Sequence, residues 1–241
     1  LPAEWQHGAF MQIFVRSYAD SDGDGIGDLR GLTGKLDYLK DLGVTGLWLM
    51  PITRSQDRDH GYAVSDYRNI EAQYGSLADL DELLNQAHAR GIRIITDFVM
   101  NHTSDQHPWF QASRSDPDGP YGDFYVWSDT DDRYTDARAI FVDTETSNWT
   151  FDPIRRQFFW HRFFSHQPDL NFENPAVHEA MFEVVRFWMD MGIDGFRLDA
   201  LGTIYEDTNL TPHNVPMNLA ELRRASELAH TPAEKKKIEK Y

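Results

Sequence analysis

A chain of 241 residues, 41% of them hydrophobic, is long enough to bury a sizeable core and to form one or two domains. Its 39 acidic against 23 basic side chains give a formal net charge of −16, which excludes holding a nucleic-acid backbone or an anionic membrane by charge. There is no Cys, so there is no disulfide framework and the redox compartment stays open; no apolar run reaches a transmembrane length. The sequence begins at Leu1 rather than Met, so a missing signal peptide carries no weight. Aromatics make up 13%, many in polar stretches such as HPWF and YGDFYVW, a pattern that suits either a core or a flat, hydroxylated ligand such as a sugar.

In chain order, Phe10–Val15 reads as a strand, and Leu32–Leu42 as a helix with Leu32, Leu36 and Leu39 on one face and Gly43 as its stop. VTGLWLM, Val44–Met50, is a second strand ended by Pro51. Ser76 caps a helix with a stripe of Leu80, Leu83, Leu84 and Ala87, and Gly91 ends it. IRIITDFV, Ile92–Val99, is a third strand. A long polar and aromatic segment runs from about His102 to Asn171; within it HPWFQASRSDPDGPYGDFYVW reads as a binding loop walling one side of a pocket. Asn174 then caps a helix with Pro175 at its first position and a stripe of Met181, Val184, Val185 and Trp188. Gly192 stops it, and Ile193–Asp199 is a buried fourth strand with Ile193, Phe196 and Leu198 as its apolar positions. Two helical stretches follow in Asn209–Tyr241.

Strands separated by helices predict a parallel sheet, either doubly wound or closed as a β/α barrel. The glycines after the first strand come with acids, which would repel a phosphate, so the barrel is preferred. The expected fold is therefore α/β: the N-terminal half of a (β/α)8 TIM barrel, strands 1–4, with a second domain inserted after strand 3. The expected divisions are 1–102 for the first part of the barrel, 103–171 for the insertion and 172–241 for the barrel's continuation.

In barrels, functional groups stand at the C-terminal ends of the strands. Strand three ends in Asp97, Asn101 and His102; strand four ends in Arg197 and Asp199; Asp59, Tyr62 and Asp66 follow strand two. These are expected to converge at one mouth. Residues i and i+2 of a strand share a face, so Arg197 and Asp199 point the same way. Alone, that pair fits a structural lock or an oriented, ionised carboxylate equally well; the polar residues at the other strand ends favour the second.

A second motif is DSDGDGIGD, Asp20–Asp28. Acids at loop positions 1, 3, 5 and 9, with Gly25 at 6, follow the calcium-loop pattern, and the carbonyl of Ile26 falls in seventh place. Gly31 stands where the pattern's bidentate Glu would be. The expected ligands are Asp20, Asp22, Asp24, Ile26 and Asp28, around a structural Ca2+ or Mg2+ of modest affinity. Clustered carboxylates repel unless a cation neutralises them. His161 and His166 lack a ligand set and read as packing or hydrogen-bonding residues.

From about residue 7 to 208 the chain resembles glycoside hydrolase family 13, the α-amylase superfamily. DFVMNH is similar to that family's first signature, GFRLDA to its second, and QPDLN, Gln167–Asn171, to the segment closing its inserted domain. Within the family the chain is similar to the oligo-1,6-glucosidase and trehalose synthase branch, which carries a cation-binding loop like Asp20–Asp28. The resemblance implies that Asp199 is the nucleophile of a retaining enzyme and that Arg197 holds it ionised. It implies that His102, Tyr62 and Asp59 bind the sugar and that Asp97, with Asn101, is structural. Departures are Gly202 and Thr203 in place of the Lys-His of many α-amylases, which argues against their plus-side subsite and calcium. Ala63 replaces the Asp of GYD, and DALGTIYED does not match trehalose synthases.

The expected activity is that of an α-glucosidase-type hydrolase or transglycosylase on maltose- or isomaltose-type oligosaccharides, through a glucosyl–Asp199 ester. The alternatives are trehalose synthase, isomerising maltose through the same ester, and a non-catalytic carbohydrate-binding or partner protein. The acid/base Glu of strand five and the strand-seven residues have no counterpart in the four strand patterns; Glu206 and Asp207 match neither. The chain is thus expected to be half a barrel, inactive alone, with no nucleic-acid, membrane or organic-cofactor partner and an open oligomeric state.

Overall fold

The computed structural model describes residues 7–55, 58–135, 137, 139–141, 143–205, 221, 224–225 and 228–234. Four strands form one parallel sheet: β1 (Phe10–Ile13), β2 (Gly46–Leu49), β5 (Arg93–Val99) and β9 (Gly195–Asp199), in that spatial order. The pairs are in register, with Ile13 beside Leu49, Leu49 beside Thr96 and Asp97 beside Arg197. Between β2 and β5 lie a short antiparallel pair, β3 (Thr53–Arg54) and β4 (Asp66–Ile70), and the helix α4 (Leu77–Ala89). The helix α6 (Pro175–Asp190) leads into β9. Strand, helix, parallel strand is the unit of a β/α barrel, and half of such a barrel is present.

The helices begin where the sequence supplies caps. Ser76 accepts from the Asp79 N–H while Asp79 accepts from the Ser76 N–H, a reciprocal capping box. Asn174 accepts from Ala176, with Pro175 at the first position. The buried faces are Leu80, Leu83, Leu84 and Ala87 on α4, and Val177, Met181, Val184 and Trp188 on α6; Val185 is only half-buried.

Three expectations about the elements change. The helix over Leu32–Leu42 is two short helices, α2 (Leu29–Thr33) and α3 (Leu36–Asp41), because Gly34 ends the first and its N–H returns to the Arg30 carbonyl. α1 is a single turn, Val15–Tyr18. The stretch read as a loop after His107 begins with the helix α5 (Pro108–Ser115): the His107 ring accepts from the Trp109 N–H, and Pro108 occupies the first turn. Phe110 of α5 is buried against Tyr125, Trp127 and Phe159, so these rings build core. Finally, β9 is not covered on both sides. It pairs with β5 and, among the described residues, with no other strand, so Leu198 is 44% exposed and Phe196 half-buried. The tail helices, Glu206 and Asp207 fall wholly or largely outside the described residues.

The insertion after β5, the third parallel strand, contains the antiparallel sheet β6 (Trp127–Ser128), β8 (Gln157–Trp160) and β7 (Trp149–Asp152). It returns beside its point of departure: Thr103 N–H donates to the Pro168 carbonyl and Leu170 N–H to the Asn101 carbonyl. Arg114 of α5 pairs with the buried Asp152 at 2.7 Å, tying α5 to the β7–β8 hairpin. Trp149, Trp160 and Tyr134 form a small core of their own. Phe110, Phe124, Tyr125, Phe159 and Leu170 join the core of the parallel sheet.

Candidate active site

The site grows from the pairing of β5 with β9. Register puts Asp97 beside Arg197 and Val99 beside Asp199. Arg197 Nη1 donates to Asp97 Oδ1 at 3.0 Å, and the same nitrogen contacts Asp199 Oδ1. Asp97 is fully enclosed: its Oδ2 accepts from Trp48 Nε1 at 3.1 Å and from the Tyr62 hydroxyl at 3.2 Å. Burial holds the Asp97 carboxyl above its ordinary value even with Arg197 against it. Burial works to lower the Arg197 guanidinium, but its bonds to Asp97 and Asp199 more than offset this and hold it up. Arg197 also lies over the Trp48 ring, 5.1 Å from its centre.

Tyr62 arrives from the tight 3-10 turn Asp59–Gly61. Asp59 and His60 have positive φ, and Gly61 has φ +103°. A Cβ on Gly61 would stand 2.9 Å from the Pro51 Cβ and 3.0 Å from its carbonyl oxygen, so only glycine lets this turn press on the end of β2. Burial, then the charges of Asp97 and Asp199, push the Tyr62 phenol well above its ordinary range, so it remains a neutral donor. Asp59 is linked to Tyr62 through the Tyr62 N–H, which donates to the Asp59 carbonyl, and its carboxylate accepts from Gln167 Nε2 at 2.9 Å.

His102 follows β5 and is buried. Its Nε2 lies 3.1 Å from the Tyr62 carbonyl, its Nδ1 3.3 Å from the Asn101 amide nitrogen, and the Phe163 ring packs on it at 5.2 Å. Burial pulls the imidazole down to about 4, which keeps it neutral at physiological pH. Asn101 in turn accepts from the Thr203 hydroxyl at 3.0 Å.

The structure thus brings Asp59, Tyr62, Asp97, Asn101, His102, Arg197 and Asp199 into one hydrogen-bonded constellation at the C-terminal ends of β5 and β9. Asp66 does not join it. It opens β4, accepting from the Arg68 N–H and from Asn69 Nδ2 within its own hairpin. His161 bonds Thr150 and the Phe163 carbonyl, and His166 stacks on Phe164, as packing residues do. Trp48, Gln167 and Thr203 escaped the sequence reading. Trp48 carried a usable signal, being the one large ring in an aliphatic strand; Gln167 opens the QPDLN motif and Thr203 stands at a departure from the family pattern, but neither pointed to its partner, 108 and 102 residues away.

In the acidic loop, carboxylate oxygens of Asp20, Asp22 and Asp28 lie within 4.8 Å of one another, a spacing that fits oxygen donors around one hard cation. Asp24 is not in that group; its Oδ1 accepts from the Ile26 N–H at 2.7 Å. N–H groups of Gly23 and Gly25 hold Asp20 below the usual carboxylate range. Asp28 also caps α2, accepting from the Gly31 N–H.

The α-amylase catalytic-domain family matches residues 12–238. The trehalose synthase/amylase TreS of Mycolicibacterium smegmatis is 63% identical over 220 residues, which is 91% of this chain and 37% of that protein. The oligo-1,6-glucosidase of Heyndrickxia coagulans is 43% identical over 212 residues, 88% of this chain and 38% of that one. Among solved structures, a variant of the trehalulose synthase MutB superposes with a TM-score of 0.82 at 37% identity, over 96% of this chain and 41% of the other. The chain spans about two fifths of the length of these relatives. With its parallel half-barrel, its insertion after the third strand and this match along nearly its whole length, the chain belongs to the α-amylase family, glycoside hydrolase family 13.

Proposed function

We propose that these residues form the nucleophile side of a retaining α-glucosyl-transferring site. The observation that carries the reading is Arg197, whose one terminal nitrogen bonds both the enclosed Asp97 and the more accessible Asp199. Asp97 is committed to Trp48, Tyr62 and Arg197, which leaves Asp199 as the carboxylate available to a substrate. In this reading an oxygen of Asp199 attacks the anomeric carbon of an α-glucoside. The glycosidic bond breaks, the aglycone oxygen leaves with a proton from an acid, and a β-glucosyl ester remains. Transfer of the ester to an acceptor hydroxyl restores Asp199 with net retention. Tyr62 presents a neutral ring and hydroxyl, His102 a neutral imidazole, and Asp59 a carboxylate for sugar hydroxyls.

Asp199→Asn in the full-length protein tests this. Release of p-nitrophenol from p-nitrophenyl α-glucoside is expected to vanish, and a slow fluorinated glucosyl donor is expected to add one glycosyl unit to the wild-type peptide holding Asp199. Turnover that survives the substitution would overturn it.

A second reading has its own support. The 63% identity to a trehalose synthase/amylase favours an enzyme that keeps the released glucose and returns it to the ester through another hydroxyl, isomerising maltose. Chromatography of maltose digests separates the two: trehalose as main product fits isomerisation, and glucose alone fits hydrolysis.

We also propose that Asp20, Asp22, Asp28 and the Ile26 carbonyl hold a divalent cation, Ca2+ or Mg2+, that braces the loop between α1 and α2. The convergence of three carboxylates supports it. The division 1–102, 103–171 and 172–241 goes with this reading, the insertion leaving and returning beside His102 and Asp169, which form an isolated bridge.

A further inference from the structure

We infer that Thr203 is a positioning residue that acts through Asn101 to fix His102 as its Nε2–H tautomer. Three contacts carry this, and they admit one consistent assignment of protons. The Tyr62 carbonyl oxygen, 3.1 Å from His102 Nε2, can only accept, so Nε2 must bear the hydrogen. Buried and neutral, the ring has a single N–H, so Nδ1 is a bare acceptor. The atom of Asn101 that faces Nδ1 at 3.3 Å must then be its NH2 group, and its carbonyl oxygen turns to Thr203 at 3.0 Å. There the Thr203 hydroxyl donates.

The opposite arrangement fails at one point. With the Asn101 amide reversed, its nitrogen would donate to Thr203 Oγ1 and its oxygen would require a proton on His102 Nδ1. Nε2 would then present a lone pair to the Tyr62 carbonyl, acceptor against acceptor. Nor does Thr203 need its proton elsewhere. The Ala200 carbonyl, 2.9 Å from the hydroxyl, already accepts from the Thr203 N–H at 3.0 Å, and a hydroxyl proton sent there would leave the Thr203 oxygen facing the Asn101 carbonyl oxygen, acceptor against acceptor.

The backbone supports the same role. Directly after Asp199 the chain enters a left-handed conformation at Ala200, φ +49°, a sparsely populated region for a residue with a side chain. That kink starts the 3-10 turn Leu201–Thr203 and swings Thr203 back over Asn101, which is itself buried. The turn behind Asp199 is thereby coupled to the imidazole, and the imidazole to the carbonyl of Tyr62. The consequence for sugar binding rests on the reading above, that His102 meets the sugar: a locked Nε2–H can meet a hydroxyl oxygen only as a donor, sharing the hydrogen it gives to the Tyr62 carbonyl, and never as an acceptor.

Long-range 1H–15N correlation of imidazole-labelled protein at pH 7.5 reads the tautomer, with the His102 signal assigned by its loss in His102→Gln. Wild type and Thr203→Ser are expected to give a protonated Nε2 and a bare Nδ1. Thr203→Val and Thr203→Ala remove the donor that holds the Asn101 amide, leave the Tyr62 carbonyl as the remaining restraint on the ring, and are expected to let a minor Nδ1–H population appear beside the Nε2–H form. A wild-type ring protonated at Nδ1 would overturn the inference without recourse to any variant. So would a pure Nε2–H pattern retained in Thr203→Val or Thr203→Ala. Titration with maltose separates the two readings: a His102 signal unmoved by saturating sugar counts against His102 as a sugar ligand and leaves the tautomer assignment standing.

Discussion

Arg197 reaches across the β5–β9 pair to Asp97 at 3.0 Å and along its own strand to Asp199 with the same nitrogen. The bond across the strands has an enclosed partner, because the Asp97 side chain is shielded from water while that of Arg197 is 36% exposed. Removing one member of a buried, hydrogen-bonded charge pair strands the other and costs on the order of 3 kcal/mol. Asp97→Ala leaves Trp48 Nε1, the Tyr62 hydroxyl and Arg197 without their common acceptor. Urea unfolding is expected to show a loss of that order, with Asp97→Asn intermediate. A midpoint unchanged in Asp97→Ala would mean that Asp97 does not hold the strand ends together.

That network also shows what the sequence could reveal. Arg197 and Asp199 are two apart in a strand, so their shared face follows from the pleat alone. The parallel order followed from helices between strands, and the capped starts of α4 and α6 from Ser76 and Asn174. Contacts that depend on register or on the path of the insertion were not legible. Trp48 meets Asp97 only because β2 and β5 pair as they do, and Gln167 meets Asp59 only because the insertion returns beside its origin. α5 was hidden because its apolar residues are aromatic and mixed with polar ones, and its start depends on a His cap. Leu198 looked buried because its strand pattern is apolar, but burial needs a neighbour on each side of the strand, which no local pattern records.

Gly61→Ala tests the turn that delivers Tyr62. The backbone there is in a region a side chain resists, and the added Cβ would press on Pro51 at 2.9 Å. Strain of this kind costs about 1–3 kcal/mol. The expected result is a lower thermal midpoint together with altered fluorescence of Trp48, which shares Asp97 with Tyr62. Equal stability of the variant would mean the turn has room that these contacts deny.

The buried histidines set an acid limit. Burial brings His102 and His107 down to about 4 from the ordinary 6.5. Below 6.5 the unfolded chain takes up protons that the folded chain refuses, so stability is complete above that pH and falls as pH drops toward 4. At pH 5.5 each ring is expected to cost about 1 kcal/mol. Asp97, raised by burial, works in the opposite sense, over the interval from its ordinary value up to its raised one. Thermal unfolding from pH 8 to 5 should therefore show a falling midpoint that begins near 6.5. A flat profile across that interval would show that both rings can be protonated in place.

The acidic loop allows its ligand role to be separated from its structural one. Asp28 serves two ends, since it caps α2 and also faces Asp20 and Asp22, so its replacement would weaken the fold with or without an ion. Asp22 is exposed, and the hydrogen bond its carboxylate accepts from the Asp24 N–H at 3.2 Å can be made equally by an Asn side-chain oxygen. Asp22→Asn should therefore leave the chelated protein's midpoint unchanged while removing a charged donor from the group of three. An ion that binds only the folded state adds about 2.7 kcal/mol at a hundredfold excess over its dissociation constant. For a chain of this size that raises the midpoint by roughly 5–10 °C. Wild-type protein should show such a rise when Ca2+ or Mg2+ is added after chelation, and Asp22→Asn should show a smaller one at the same concentration. If neither ion moves the wild-type midpoint, the three carboxylates are held together by the N–H groups of the loop alone, in the way that Gly23 and Gly25 already hold Asp20.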